Sequence, residues 1–92
     1  MDYTFQAQTS PATLVEDATG AIVGKIEFRR DDDGRYLLDY LWVDASRRGQ
    51  GLARRTIDHF AAFVRAEGQK ITPYCGVARS MMQGDDRYED LL

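Results

Sequence analysis

The sequence predicts an α/β fold of the α+β kind: a mixed sheet that begins with antiparallel hairpins and reaches a parallel strand through one long helix. Three observations predict it. Residues 21–30 alternate between apolar and polar side chains, and residues 35–43 form an apolar and aromatic run after an Asp-rich turn with one glycine. A helical repeat of apolar residues then extends to about Glu67. With 92 residues, the chain is long enough for one domain with a single small core.

The composition is that of a globular protein without a broad basic surface. Hydrophobic residues make up 43% of the chain and charged residues 29%, which argues against the disordered and fibrous classes. The 12 basic and 15 acidic residues give a net charge of −3. We therefore expect neither nucleic acid nor an anionic membrane as a partner, and any bound anion must be held by a local site.

Cysteine usage and the first residues predict where the protein works. The single cysteine, Cys75, excludes an internal disulfide and a zinc site built from cysteines, and it fits a reducing compartment. The start, MDYTFQAQTS, lacks the basic region and apolar run of a secretory signal, and no apolar run is long enough to span a bilayer. We expect a cytoplasmic protein without a metal site, forming one domain over residues 1–92 with residues 1–11 as a flexible lead-in.

Strands are predicted along the first half of the chain. A weak strand at Tyr3–Gln6 precedes one at residues 12–17. In residues 21–30, one face carries Ile22, Gly24, Ile26 and Phe28, and the other carries Val23, Lys25 and Glu27. Residues 31–34 predict a tight turn, favoured over a cation site because three adjacent Asp residues lack the ligand spacing. Residues 35–43, which include Tyr40 and Trp42, predict a central strand covered on both faces.

A long amphipathic helix is predicted from a start at Asp44 or Ser46 to about Glu67, with Gly68 as its stop. Its apolar stripe contains Leu52, Ala53, Ile57, Phe60, Phe63 and Val64, opposite Arg54, Arg55, Asp58 and Arg65, with His59 at the border as a partly exposed surface residue. A further strand follows at residues 70–75, in which Pro73 cannot donate a ladder hydrogen bond. Residues 76–92 predict one or two short helices.

The stretch SRRGQGLARRT, residues 46–56, predicts an anion-binding turn. It follows a central strand and opens the long helix, so unpaired backbone N–H groups point at one place, and the helix dipole adds positive charge there. Glycines let the backbone approach an anion closely, and Arg47, Arg48, Arg54 and Arg55 reinforce the charge. The Lys and Ser or Thr of a P-loop are missing after Gly51, and the dinucleotide-binding pattern is broken at Arg54.

Residues 48–53 read Arg-Gly-Gln-Gly-Leu-Ala, the pattern R-x-x-G-x-[G/A]. Here the chain resembles the GNAT superfamily of acyl-CoA-dependent N-acetyltransferases, whose pyrophosphate loop has this pattern between a central strand and a long helix. The resemblance extends to the preceding run LWVD and the later strand ITPYC, and so from about Arg35 to the end of the chain. The chain is most similar to a short GNAT-like subfamily whose strand after the long helix ends in Pro-x-Cys.

The resemblance implies a GNAT-like mixed sheet, acetyl-CoA as cosubstrate and definite roles. Main-chain groups of Leu41 and Val43 would pair with the pantetheine arm in a cleft where residues 35–43 and 70–75 splay apart. Backbone N–H groups near five residues would hold the pyrophosphate, with Arg54 at its outer rim; these five are Arg48, Gly49, Gln50, Gly51 and Ala53. The acceptor would be an unidentified amine or protein, and the protein a monomer or weak dimer.

Three residues are candidates for the chemistry that the resemblance implies. Cys75, at the end of its strand beside the cleft, is expected to act as a nucleophile, to line the thioester site, or to be an ordinary buried thiol. Glu27 and Tyr88 are counterparts of the family's glutamate base and tyrosine acid, although Tyr88 also suits a packed aromatic role. The helices and strands with which common relatives form much of the acceptor pocket are missing from the chain.

Two other functions stay open. The first is a non-catalytic acyl-CoA-binding module that acts as a sensor or carrier, which the shortened acceptor side favours. The second is a nucleic-acid or protein interaction domain that uses the arginine-rich helix start, against which the net negative charge argues.

Overall fold

A computed structural model describes residues 2–47 and 49–92 of the chain. The strands are β1 (Tyr3–Gln6), β2 (Ala12–Glu16), β3 (Ile22–Arg30), β4 (Tyr36–Val43) and β5 (Ile71–Pro73), and the helices are α1 (Leu52–Ala66) and α2 (Gly76–Met82). Short 3₁₀ turns lie at Ala45–Arg47 and Asp86–Tyr88. The elements follow the predicted order, and the mixed α/β fold is confirmed.

The strands form one sheet in the order β1-β2-β3-β4-β5. Neighbours from β1 to β4 are antiparallel, whereas β4 and β5 run parallel. A parallel pair needs a crossover connection, which α1 provides. The predicted hairpins, crossover helix and parallel strand are therefore confirmed. The weak strand at Tyr3–Gln6 is confirmed as well, since it pairs with β2 along its whole length.

A β-bulge in β4 coincides with the point where β4 and β5 separate. Glu27 of β3 lies opposite Tyr40, but the next residue, Phe28, lies opposite Leu38, so Asp39 is an extra residue in β4. On its other side, β4 pairs with β5 only from Tyr36 to Leu38. The two strands therefore splay apart beyond Leu38, as the resemblance implied.

Strand β5 is shorter than the predicted 70–75. The backbone N–H groups of Tyr74 and Cys75 both donate to the carbonyl of Leu38, at 2.8 and 3.1 Å. Two successive donors on one carbonyl end the regular ladder, because a continuing strand would advance along its partner. The chain then turns into α2, with Cys75 as the residue before the helix.

The sequence prediction for the faces of β3 is wrong at one end of the strand. Val23 is fully buried and packs with Leu14 and Leu52, whereas Ile22 is largely exposed. The cause is a register shift between β2 and β3, where Leu14 lies opposite Gly24 but Val15 lies opposite Ile22. The extra residue reverses the alternation that the sequence pattern assumed.

Both helices pack on the same face of the sheet. Ile57 and Phe60 of α1 share one core cluster with Met82 of α2 and with Ile26 and Leu38 of the sheet. The prediction that β4 is covered on both faces is therefore wrong, because Tyr40 on the opposite face is 49% exposed. That open face pairs Lys25, Glu27 and Arg29 of β3 with Trp42, Tyr40 and Leu37 of β4.

Helix α1 starts later than either predicted starter. Asp44 and Ser46 begin the 3₁₀ turn instead, since the Asp44 carboxylate accepts hydrogen bonds from the N–H and hydroxyl of Ser46. Gly51, with φ of 68°, is the residue that caps α1. The predicted stop is confirmed, because α1 ends at Ala66 and Gly68 has φ of 69°.

Candidate active site

The turn that leads from β4 into α1 spans residues 44–51, and we term it the anion turn. Gly49 and Gly51 have φ of 81° and 68°, a left-handed conformation that other residues rarely adopt. A Cβ added at either glycine would meet no atom of the described residues within 4 Å, the glycine's own neighbours in the chain aside. The glycines are therefore required by backbone conformation rather than by crowding from the described residues.

The first turn of α1 has free hydrogen-bonding capacity. The first α-helical hydrogen bond runs from Arg55 N–H to the Gly51 carbonyl at 3.0 Å, and no side chain caps the helix start among the described residues. The N–H groups of Leu52, Ala53 and Arg54 therefore point away from the helix at the positive end of its dipole. Such an arrangement suits a phosphate group.

The arginines that the sequence placed around this turn are engaged by other partners. The Arg47 guanidinium donates to Glu16 at 2.9 Å, and that of Arg54 donates to the Met81 carbonyl at 3.1 Å and the Tyr88 hydroxyl at 3.0 Å. The Arg55 guanidinium lies 4.9 Å from the centre of the Tyr3 ring. Arg48 lies outside the described residues. Backbone N–H groups are thus the main anion-binding groups that the described part of the turn offers.

The free edge of β4 presents Leu41 and Val43 toward the splayed gap. Before the bulge, the even residues Tyr36 and Leu38 make backbone hydrogen bonds on the β5 side. The extra residue Asp39 switches this alternation, so that beyond it the odd residues carry their N–H and C=O groups to that side. In the described part of the chain, β5 therefore does not pair with Leu41 or Val43, the two strand residues that were predicted to bind pantetheine, although the Leu41 backbone contacts the Cys75 thiol.

Cys75 lies across this gap from Leu41. Burial raises the pKa of the Cys75 thiol, but backbone hydrogen bonds from Ala78, Leu41 and Val77, together with the charge of Arg79, outweigh burial and lower the pKa overall. Two of these donors belong to the start of α2, and Leu41 belongs to β4. The structure thus brings together Cys75 and one of the predicted pantetheine-binding residues.

Tyr88 is buried, and its hydroxyl lies in a hydrogen-bonded network on α1. The hydroxyl donates to the Asp58 carboxylate and accepts from Arg54, which also forms an ion pair with Asp85 at 3.3 Å. Burial and the hydrogen bond to Asp58 raise the pKa of Tyr88. These contacts join the C-terminal segment to α1, and the predicted role of Tyr88 as an acid stays a prediction.

An open groove of about 550 Å³ continues from the anion turn along the outer side of α1. It is lined by Gln50, Gly51, Arg54, Arg55, Asp58, His59 and Ala62. His59 stacks on Phe5, with 5.4 Å between ring centres, and is half-buried. Glu27, the predicted base, is exposed on the open face of the sheet, opposite Tyr40.

Glu16 has a buried carboxylate that was not predicted from the sequence. The signal was present, because Ala12, Leu14 and Glu16 alternate on one face of β2 and all three are buried. A charged residue at the end of an apolar face predicts either an exposed strand end or a buried ion pair, and the second holds here. Its partner, Arg47, was assigned to the anion.

The described residues offer neither a metal site nor a membrane-spanning helix. No group of three or more His, Cys, Asp or Glu residues is placed so that it could hold a metal ion within residues 2–47 and 49–92. In the same part of the chain, no helix combines the length and the apolar character needed to cross a bilayer.

The chain matches a known protein family over most of its length. No curated protein matched the chain. The sequence model of a family described as GCN5-related N-acetyl-transferase matches residues 12–91, which is nearly the whole chain and includes β2 to β5 and both helices. The splayed parallel strands and the glycine-containing turn before α1 lie within the matched region. The chain therefore belongs to the GCN5-related N-acetyltransferase family.

Proposed function

We propose that the protein is an N-acetyltransferase that binds acetyl-CoA at the anion turn and transfers its acetyl group to an amine. One observation carries the proposal: the start of α1, which no side chain of a described residue caps, follows β4, whose edge beyond Leu38 is not paired with β5 and faces Cys75. A ligand with a phosphate at one end and an extended amide-containing arm at the other matches this combination. Acetyl-CoA has this chemistry, and the family uses acyl-CoA substrates.

Each part of the ligand has matching groups in the chain. The pyrophosphate would accept hydrogen bonds from backbone N–H groups at Gly49, Gln50, Gly51 and Ala53. The amides of the pantetheine arm would pair with Leu41 and Val43 as an added strand. The nucleotide end would lie at the groove beside the turn, where Arg55 and His59 offer positive or hydrogen-bonding groups.

The transfer reaction needs few protein groups. The amine nitrogen attacks the thioester carbonyl carbon, the C–S bond breaks, CoA leaves as the thiolate, and the amine loses a proton to a base or water. Backbone N–H groups near Leu41 and Val43 would stabilise the negative charge that develops on the carbonyl oxygen. Glu27 is the proposed proton acceptor on the open face of the sheet.

A covalent route through Cys75 is the second candidate mechanism, favoured by the lowered pKa of the thiol. In this route the Cys75 thiolate attacks the acetyl carbon and releases CoA, and the amine then attacks the resulting thioester and regenerates the thiol. Replacement of Cys75 by alanine separates the two routes. Acetyl transfer at the wild-type rate in that variant would exclude the covalent route, whereas loss of transfer with unchanged CoA affinity would support it.

The test of the proposed function is an NMR titration of the protein with acetyl-CoA. We expect chemical shift changes concentrated in residues 41–54 and around Cys75. Changes confined to other surfaces, or an unchanged spectrum, would contradict the proposal. Acetylation of a panel of amines and peptides would then measure turnover.

A non-catalytic acyl-CoA-binding module is the alternative function. The open face of the sheet around Tyr40 favours it, because Tyr40 and Glu27 are exposed there rather than enclosed. Binding of CoA without product across a broad amine panel would support this alternative.

An interaction with nucleic acid is disfavoured, because Arg47 and Arg54 form ion pairs with acidic side chains. A steep salt dependence of RNA or DNA affinity, without any response to CoA, would favour the nucleic-acid function instead.

The compartment, the acceptor and the oligomeric state of the protein are also proposed. We propose a cytoplasmic protein, a location that suits the free thiol of Cys75. The acceptor partner is proposed to be an amine, carried by a small molecule or a protein. A monomer or weak dimer is the proposed state in solution.

A further inference from the structure

Glu16 is the only charged residue among the described ones that is buried, with an exposed fraction of 2%. It is the last residue of β2 and lies on the same buried face as Ala12 and Leu14. No step of the proposed acetyl transfer uses its carboxylate. Because a buried charge is costly unless it is paired and hydrogen-bonded, its position needs a structural reason.

Both oxygens of this carboxylate are hydrogen-bonded. Oε1 accepts from the Thr19 hydroxyl at 2.7 Å, and Oε2 accepts from Arg47 Nη1 at 2.9 Å. Thr19 lies in the turn between β2 and β3, whereas Arg47 lies in the anion turn, 31 residues from Glu16 along the chain. The ion pair therefore joins the anion turn to the N-terminal hairpin of the sheet.

The start of the anion turn is held by several contacts. Most of them lie within the turn or reach β3, the strand beside β4, whereas Glu16 contacts the turn from β2. The Asp44 N–H donates to the Val23 carbonyl at 3.0 Å, and the Arg47 N–H donates to the Asp44 carbonyl at 3.1 Å. The Arg47 Nε atom lies 3.4 Å from an Asp44 carboxylate oxygen. The segment up to Arg47 is thus fixed, and the two positive-φ glycines, which lose much conformational entropy on ordering, follow directly.

We propose that Glu16 is a positioning residue for the anion turn: through Arg47 it holds the turn in the conformation that presents the first N–H groups of α1 to the pyrophosphate. The inference rests on the proposed function, because it takes CoA as the ligand of the turn. Glu16 and Asp44 offset the positive charge of Arg47. The effect of Glu16 on affinity is therefore one of geometry, by preorganisation of backbone donors, rather than of added charge.

The test compares two ligands that differ by the group the turn would bind. NMR titrations measure the Kd of the wild type and of Glu16→Gln for CoA and for S-acetylpantetheine, which lacks the pyrophosphate and the nucleotide. In Glu16→Gln we expect the Kd for CoA to rise about tenfold, as when one hydrogen bond to a charged group is lost. We expect the Kd for S-acetylpantetheine to change less than about twofold, because its contacts lie along β4 and β5.

Two further variants separate positioning from stability. Val64→Ala opens a cavity at the far end of α1, so it should lower the stability of the protein without changing the ratio of the two Kd values. Thr19→Val removes the hydrogen bond to Glu16, together with the one that the Thr19 hydroxyl accepts from the Ala21 N–H, but keeps the ion pair, and should raise the Kd for CoA about two- to threefold. If Glu16→Gln does not fold, the Kd values of Thr19→Val are compared with those of the wild type instead.

The outcomes distinguish this inference from the proposed function. A Glu16→Gln variant that binds CoA as tightly as the wild type or more tightly overturns the inference alone. Equal weakening of both ligands also overturns it, since that is the signature of a general loss of structure. Failure of the wild type to bind CoA would overturn the proposed function and this inference with it.

Discussion

At the scale of single residues, Cys75 is a partly buried free thiol whose pKa is lowered. Its sulfur receives backbone hydrogen bonds from the start of α2 and from Leu41 across the splayed gap, and the net effect is a lowered pKa in spite of burial. This combination stabilises the thiolate, which is the reactive form in both alkylation and acyl transfer. The environment of Cys75 can therefore be tested before any acceptor is known.

We expect Cys75 to react with iodoacetamide at lower pH than an ordinary cysteine does. Because its pKa is lowered in the folded protein, the thiolate fraction begins to rise at lower pH, and the midpoint of the rate profile shifts down with it. The measurement is the alkylation rate against pH, followed by mass spectrometry. The matched control is the same protein unfolded in urea, and coincident profiles for the two forms would contradict the prediction.

Tyr88→Phe should lower the free energy of unfolding by about 0.5–1.5 kcal/mol, the usual net contribution of a hydrogen bond, since the variant removes the buried hydroxyl that donates to Asp58 and accepts from Arg54. Urea unfolding monitored by fluorescence measures the change. Tyr74→Phe is the control: Tyr74 is largely exposed, so a loss below about 0.5 kcal/mol is expected there. Equal effects at the two positions would argue against a structural role for the network.

At the scale of elements, the contact between α1 and β3 depends on one glycine. A Cβ at Gly24 would lie 2.2 Å from the Thr56 hydroxyl oxygen, well inside any permitted contact. Thr56 is itself buried, and its hydroxyl donates to the Leu52 carbonyl at 2.7 Å, so it has little freedom to move. The close approach places the start of α1, and with it the anion turn, against the sheet.

Gly24→Ala should destabilise the protein by about 1–3 kcal/mol, because the added methyl group forces α1 away from β3. The double variant Gly24→Ala/Thr56→Ala removes the side chain that would collide. In a double-mutant cycle measured by urea unfolding, we expect the double variant to be more stable than the sum of the two single changes predicts. Strict additivity would show that the close approach has no energetic consequence.

Element order and type were predictable because periodicity reports which side of an element is buried. The alternation in residues 21–30, the apolar stripe of α1 and Gly68 each led to the observed element. Bulges were not predictable, since an extra residue leaves no mark on composition, and the pattern failed at Val23 for that reason. Arg47 was misjudged because a sequence shows a charge but not its distant partner, here Glu16.

At the scale of the whole molecule, charged side chains tie distant parts of the chain together. Arg29 pairs with Asp39 across β3 and β4, and Arg65 pairs with Asp90 near the C-terminus. Hydrogen bonds from these arginines lower the pKa of Asp39 and Asp90. Hydrogen bonds from Ser46 lower that of Asp44 in the same way.

The protein should therefore lose stability in acid. A carboxylate whose pKa is lower in the folded than in the unfolded state stabilises the fold above the unfolded value, about 3.9 for Asp, and loses that contribution as the pH falls through the folded value. We expect the urea midpoint to be lower at pH 3 than at pH 7. Asp44→Asn should show a smaller difference between the two pH values, and a wild-type midpoint independent of pH would contradict the account.

The bulge in β4 has a consequence for how the gap between β4 and β5 could arise or vanish. One surplus residue, Asp39, interrupts the ladder with β3 at the point beyond which β4 and β5 no longer pair. In a chain without Asp39, we expect a regular β4 in which Leu41 and Val43 follow Tyr36 and Leu38 in unbroken alternation, so that β5 could pair with all of them. The gap between β4 and β5, and with it the space for an extended ligand, would then close, so the presence of a single residue decides whether this sheet can take up such a ligand.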